Sequence, residues 1–197
     1  AQSTEVPLAG EFDSVDWPPS GQRLRDLATR LDFDIGFAAR RNWPTIPEPI
    51  EGAGYGEIAR AEFGTLTPES SAKWEFLHPF EGDYDFDEQN DLDALVSFAE
   101  ENGMRVHGHP LTWYLLNPVW LASVPSERME AVLRAHVDTV VSRYAGRIDV
   151  WDVVNEGLDN DGTGFREEDP FFAALGPGYM DIAFEAASAA DPAAELI

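Results

Sequence analysis

Strands and helices alternate along this chain, which predicts an α/β fold on a parallel sheet. Three observations carry that expectation. Short apolar runs of strand length alternate with stretches of helical spacing. Glycine- or proline-containing pairs mark several of the junctions between them. Polar and aromatic residues gather just after three successive strands. With 197 residues, 44% of them hydrophobic, the chain can bury a real core as one large domain or two small ones.

Residues 1–22 are rich in Pro, Gly, Ser and acids without any period, and read as a lead-in. They contain neither the charged n-region nor the apolar h-region of a signal peptide, so any such peptide is expected to have been removed already or never to have existed. Residues 23–197 form the folded unit. Leu24, Leu27, Ala28 and Leu31 recur at helical spacing, and residues 33–39 have the length and apolarity of a strand. Residues 56–63 read as a brief helix running into a second strand, 64–67, ended by Pro68. Leu92, Leu95, Val96 and Ala99 mark a helical face, Asn102-Gly103 stops it, and 104–109 is a third strand. A long helix follows over 126–144, closed by Gly146, and 148–154 is a nearly continuous apolar strand broken only by acids. A helix over 179–189 leads through Asp191-Pro192 into 195–197, the start of a fifth strand.

Such an order fits a sheet that is open and doubly wound or one closed as a (β/α)8 barrel. No glycine-rich phosphate loop follows any strand, and Gly52-Ala53-Gly54-Tyr55-Gly56 is Gly-rich without that context, which speaks against a nucleotide site. No internal repeat or low-complexity tract is present.

Charge narrows the partners. Against 37 Asp+Glu stand 13 Lys+Arg, a formal charge of −24 with no basic block. Nucleic acid and anionic membranes both need Lys/Arg stripes, so neither is expected as a partner. No apolar run reaches the roughly 18 residues of a membrane span. The absence of cysteine excludes a disulfide scaffold, a thiolate nucleophile and a Cys-based metal site. Twelve of the 13 basic residues are Arg; Lys73 is the single Lys. Acidity with so little lysine fits either a protein kept soluble in salty surroundings or a general composition bias.

The chemistry lies where the strands end. The second strand is followed by Pro68-Glu69-Ser70-Ser71-Ala72-Lys73-Trp74, the third by Gly108-His109 and Trp113-Tyr114, and the fourth by Asn155-Glu156. In a barrel, that C-terminal rim is the active face. Glu156 closes an apolar strand, so its carboxyl is expected to be partly desolvated with a raised pKa, as a general acid requires; the alternative is a solvated loop acid. Asp152 is expected to be structural, paired with an Arg in the wall. His109 is expected to be a hydrogen-bonded residue rather than a metal ligand, since no second ligand stands at i+2 or i+4. Trp74 and Trp113 are either core residues or platforms on which sugar rings stack. Asp159-Asn160-Asp161-Gly162 faintly echoes a calcium loop, but Pro170 falls where the bidentate Glu is needed. Neither metal nor cofactor is expected. Lys73, surviving where Arg is used elsewhere, suggests a compact ammonium that a guanidinium does not replace.

The stretch 66–74, Leu-Thr-Pro-Glu-Ser-Ser-Ala-Lys-Trp, resembles the T-P-E-N-x-x-K-W of family 10 glycoside hydrolases, the retaining endo-1,4-β-xylanases. Val106-His107-Gly108-His109-Pro110-Leu111-Thr112-Trp113 resembles that family's V-R-G-H-T-L-x-W, and Trp151-Asp152-Val153-Val154-Asn155-Glu156 its W-D-V-V-N-E. Spacing also agrees over 82–86 and 161–172, and the likeness runs from about Leu24 to the last residue. It implies a (β/α)8 TIM barrel, of which this chain supplies about the first four βα units and the start of strand five. It further implies Glu156 as acid/base, Asn155 on the 2-hydroxyl of the sugar at the cleaved bond, and Glu69, Lys73, His109 and Trp113 lining glycone subsites. Ser70 and Tyr114 depart from the family's Asn and His at glycone positions.

By the same resemblance the nucleophile belongs to strand seven. A barrel takes about 250 residues, so the expectation is an N-terminal half whose nucleophile lies outside these residues, inactive alone and paired with the C-terminal half. The expected substrate is xylan or xylo-oligosaccharide, and the expected compartment secreted or periplasmic. The alternatives are another β-glycanase on the same barrel, acting on mixed-linkage xylan or cellulose, and a non-catalytic binding relic.

Overall fold

The computed structural model describes residues 21–40, 55–87 and 89–197. The lead-in up to residue 20 and the glycines at 52 and 54 lie outside the described residues. Helix α1 (Leu24–Arg30) precedes strand β1 (Gly36–Ala39); α2 (Tyr55–Glu62) leads to β2 (Thr65–Pro68). After a single turn, α3 (Trp74–Leu77), come α4 (Leu92–Glu101) and β3 (Arg105–Gly108). A 3-10 turn at Val119–Ser123 introduces α5 (Ser126–Arg143) and then β4 (Val150–Trp151). The remainder is α6 (Pro170–Leu175), α7 (Tyr179–Ala190) and β5 (Glu195–Leu196).

The five strands pair in the order β1-β2-β3-β4-β5, every pair parallel. Sequential order decides between the two topologies left open by the sequence. A doubly wound sheet reverses its order at a switch point, which divides its helices between two faces. Here the order never reverses, so right-handed crossovers put every helix on the same face. That is the arc of a barrel.

Burial alternates along the strands accordingly. Leu66 and Val106 are buried against the helical layer, while Thr65, Thr67 and His107 lie on the other face and are half-buried. Helix α5 turns Met129, Leu133, Val137, Val140 and Val141 into the core, and α7 packs on it through Ala183 and Ala187. Salt bridges join the outer helices: Arg143 of α5 to Asp93 of α4, and Arg147 to Glu100 at 2.7 Å.

Strand β4 is shorter than the expected 148–154. Pro110 has no N–H to donate, so the ladder breaks beside it. It resumes with Leu111 N–H to Asp152 O (2.8 Å), Thr112 N–H to Val153 O (3.1 Å) and Asn155 N–H to Thr112 O (3.0 Å).

A ring cluster fills the space behind the strand ends. Trp74 stacks on His136 with centroids 3.6 Å apart, and His78 stacks on Tyr84 at 4.0 Å. Gly82 N–H donates to His78 Nε2 (3.0 Å), so the His78 proton sits on Nδ1 and is donated to His136 Nδ1 at 3.1 Å. The remaining nitrogen, His136 Nε2, is buried with no partner among the described residues. Burial holds both imidazoles in the neutral form, that of His78 down to about 4 and that of His136 well below its ordinary range.

Candidate active site

Three rim segments are fastened to one another through backbone carbonyls. Trp74 Nε1 donates to Leu111 O (2.6 Å), and Glu75 N–H donates to Leu116 O (2.8 Å), tying the loop after β2 to the loop after β3. The Asn155–Thr112 bond ties the latter to the segment after β4. Glu69 is placed by its own N–H on Ala39 O (2.8 Å), at the tip of β1.

On this frame Lys73, Trp113 and Glu156 meet. Lys73 Nζ lies 4.8 Å from the centroid of the Trp113 ring, and Trp113 Nε1 donates to Glu156 Oε2 at 3.1 Å. Partial burial pushes the Lys73 ammonium down from its ordinary range, while the negative charges of Glu69 and Glu156 pull it back up. The single lysine therefore sits between two carboxylates beside an indole face. A sugar placed here finds an apolar platform and charged hydrogen-bond partners within one cluster. Trp113 remains half-exposed, as a platform must be, whereas Trp74 is buried and belongs to the core. The platform reading of Trp74 is thus overturned: its indole N–H is spent on Leu111.

Two further expectations change. Among the described residues Asp152 pairs with no arginine. Its carboxylate bridges His107 Nε2 (2.8 Å) and His109 Nδ1 (2.5 Å). Burial works against the charge, but the hydrogen bonds from both histidines hold the Asp152 carboxyl well below the usual carboxylate range, and the same contact raises the pKa of His107. An ionised carboxylate only accepts, so His109 donates from Nδ1 and its Nε2 is left for other partners. His107 has its sequence signal at i−2 rather than i+2 or i+4 of His109: it stands two residues before it on the same strand face. The cluster is a hydrogen-bonded clamp; among the described residues no group of three or more His, Asp or Glu is arranged to hold a metal.

Glu156 differs from expectation in its surroundings. It is exposed rather than partly desolvated, and its bond from Trp113 Nε1 lies open to solvent. Its backbone is left-handed, with φ of 54°. Asn155 is half-buried beside it, Ser70 forms the turn that receives Lys73 N–H (3.0 Å), and the Tyr114 ring meets Trp113 edge-on at 5.7 Å.

The loop after Glu156 folds as a small hairpin, with a bridge between Leu158 and Phe165. The carboxylates of Asp159 and Asp161 take the Thr163 N–H at 2.9 and 3.1 Å, and Asn160 receives Arg166. Arg166 was also missed; the available signal was a lone Arg within the acidic run from Asp159 to Asp169.

Comparison with known proteins places this geometry. The sequence pattern of glycosyl hydrolase family 10 matches residues 24–197. Endo-1,4-beta-xylanase B of Thermotoga neapolitana is 39% identical over 98% of this chain and 52% of its own length. Endo-1,4-beta-xylanase 3 of Hypocrea jecorina is 41% identical over 71% of this chain and 39% of its own. Among solved structures, native xylanase 10B from Thermotoga maritima superposes with a TM-score of 0.82 at 41% identity, covering 89% of this chain and 52% of that one. Xylanase 10B from Thermotoga petrophila RKU-1, solved with xylobiose, gives 0.82 at 40% identity, covering 89% of this chain and 52% of that one. The chain spans about half the length of the relatives it matches.

Proposed function

The chain belongs to glycosyl hydrolase family 10, and from that premise we propose that it supplies the first half of a xylanase catalytic barrel that cleaves β-1,4-xylosidic bonds within xylan. Residues 23–197 carry the first four βα units and the acid/base; the second half of the same barrel carries the nucleophile, outside residues 1–197. The observation that supports this most is the meeting of Glu156, Trp113 and Lys73 at the rim from three successive strand ends.

Retention needs two carboxylates about 5 Å apart: one attacks the anomeric carbon, the other protonates the departing oxygen and then activates water. Glu156 is the second. In the first step its carboxyl gives a proton to the glycosidic oxygen; in the second the resulting carboxylate takes one from water as the glycosyl–enzyme bond is hydrolysed. Completion of the opposite wall supplies the desolvation that residues 21–197 do not give Glu156. Asn155 holds the 2-hydroxyl, and Glu69, Lys73, His109 and Trp113 hold the glycone, with His109 fixed by Asp152. Ser70 and Tyr114 alter the detail of that glycone contact.

Xylan is a polymer too large to cross a membrane, so the enzyme works outside the cytoplasm, with neither nucleic acid nor a membrane as partner. Product analysis of the completed barrel on xylan, mixed-linkage xylan and carboxymethylcellulose tests the reading. Xylo-oligosaccharides of retained anomeric configuration from xylan are expected. Cleavage confined to carboxymethylcellulose, or none at all, overturns it.

A further inference from the structure

We infer that Arg166 is a positioning residue for the acid/base, holding the two successive backbone carbonyls that follow the Glu156 α-carbon. The inference rests on the reading of Glu156 given above and adds a residue to it.

Glu156 sits at φ of 54°. A side chain with a Cβ enters that region at a steric cost and stays only where its surroundings over-determine it. Arg166 does so twice. Its Nε–H donates to Glu156 O at 3.0 Å, and its own backbone N–H donates to Gly157 O at 3.0 Å. The next residue packs closely as well: a Cβ on Gly157 would lie 2.7 Å from Met180 Cε and 3.0 Å from Val154 Cγ1.

The guanidinium is itself immobilised. Its NH1 donates to Glu168 Oε1 (3.0 Å), its NH2 to Asn160 Oδ1 (2.8 Å), and its plane lies 4.1 Å from the centroid of the Tyr114 ring. Arg166 is 5% exposed. Three acceptors in a planar fork, with an aromatic face beneath, suit a guanidinium and not an ammonium. This gives Tyr114 a place: its ring supports the arginine that holds Glu156. Arg166 makes no contact with the carboxylate, so it acts through backbone geometry.

Rotation at the Glu156 α-carbon swings the carboxyl away from the glycosidic oxygen. Protonation is the step that suffers. A misplacement of about 1 Å is worth about 100-fold in rate, and it matters only where the leaving group needs a proton.

The test measures kcat/KM of the completed barrel on xylotriose, a poor leaving group, and on 2,4-dinitrophenyl β-xylobioside, which departs unaided. Arg166→Met is expected to lose about 30-fold or more on xylotriose and less than about 3-fold on the aryl substrate. Arg166→Lys is expected to follow it, since the ammonium cannot serve three acceptors. Should Arg166→Met not fold, the double variant Asn160→Ala/Glu168→Ala, which frees the fork at exposed positions, is expected to give the same selective loss on a smaller scale. Equal losses on both substrates, no loss, or full rescue by Lys overturns the proposal. Glu156→Gln in the same assay separates the two readings: if it loses equally on both substrates, the acid assignment itself has failed.

Discussion

A Cβ placed on Gly108 would lie 2.2 Å from Cε3 of Trp151. The indole of β4 lies flat over the backbone of β3, and the absent side chain makes room for it. This contact also explains the spacing around it. With Gly108 on the helical face, His107 and His109 fall on the other, and Asp152, the neighbour of Trp151, reaches both.

Gly108→Ala is therefore expected to destabilise the barrel by about 3 kcal/mol or to prevent folding, the upper end of what overpacking costs. Urea unfolding of the variant checks it. A change within about 0.5 kcal/mol, the range of ordinary surface substitutions, would mean that the Trp151 ring has another place to go.

The His78–His136 pair predicts acid sensitivity. Both imidazoles are neutral in the fold, with pKa values lowered from 6.5, while the unfolded chain takes up protons near 6.5. The unfolded state thus binds more protons below that pH, and stability is complete above 6.5 and falls as the pH drops. The acids facing His78, Glu81 and Asp83, moderate its shift without reversing it. The fall is expected to reach about 1.4 kcal/mol per pH unit for the proton His136 takes up on unfolding. His107 works in the opposite sense, its raised pKa adding stability that is already complete below 6.5, and Asp152 loses its contribution only below about pH 4. Denaturant titrations at pH 6.5, 5.5 and 4.5 therefore follow the buried pair, with Glu100, which Arg147 holds below its ordinary range, adding to the fall only towards the lowest pH. His136→Gln is expected to flatten the slope. A wild-type stability constant over that range would contradict the tautomer assignment and the burial behind it.

Much of the architecture was legible from periodicity. Leu66 and Val106 sit in runs too apolar and too short for helices, and Leu92, Leu95, Val96 and Ala99 mark one helical stripe. Helices α3 and α6 were not found. Four residues cannot display a helical period, and α6 is announced only by the pair Asp169-Pro170. Asp169 caps it by accepting from Phe171 N–H (2.8 Å), and Pro170 stands at a first-turn position where no donor is needed. At the site, the rim was legible because polar residues directly following apolar strands have few structural uses. What lay beyond sequence was pairing. Which partner Asp152 takes, and whether Trp74 faces sugar or core, is fixed by the register of β3 against β4 and by the loop bond to Leu111. Neither leaves a local trace in the chain.

Lys73→Ala is expected to act on glycone binding. It removes a charge-assisted hydrogen bond worth about 1.5–3 kcal/mol, or about 10- to 150-fold in kcat/KM on xylo-oligosaccharides. The thermal midpoint is expected to move little, since the ammonium is only partly buried beside Trp113. Unchanged kcat/KM would remove Lys73 from the site.

The central claim is that Glu156 gives the proton to the departing sugar. Its most direct test compares Glu156→Gln with the unaltered protein in the completed barrel, on xylan and on 2,4-dinitrophenyl β-xylobioside, following release of the first product. The amide is nearly the same shape as the carboxyl and keeps an oxygen for Trp113 Nε1, so folding is expected to survive. Cleavage of xylan is expected to fall by at least about 100-fold, while formation of the glycosyl–enzyme from the aryl substrate stays within about 10-fold of the unaltered rate. Equal loss on both substrates, or undiminished xylan cleavage, would contradict the assignment.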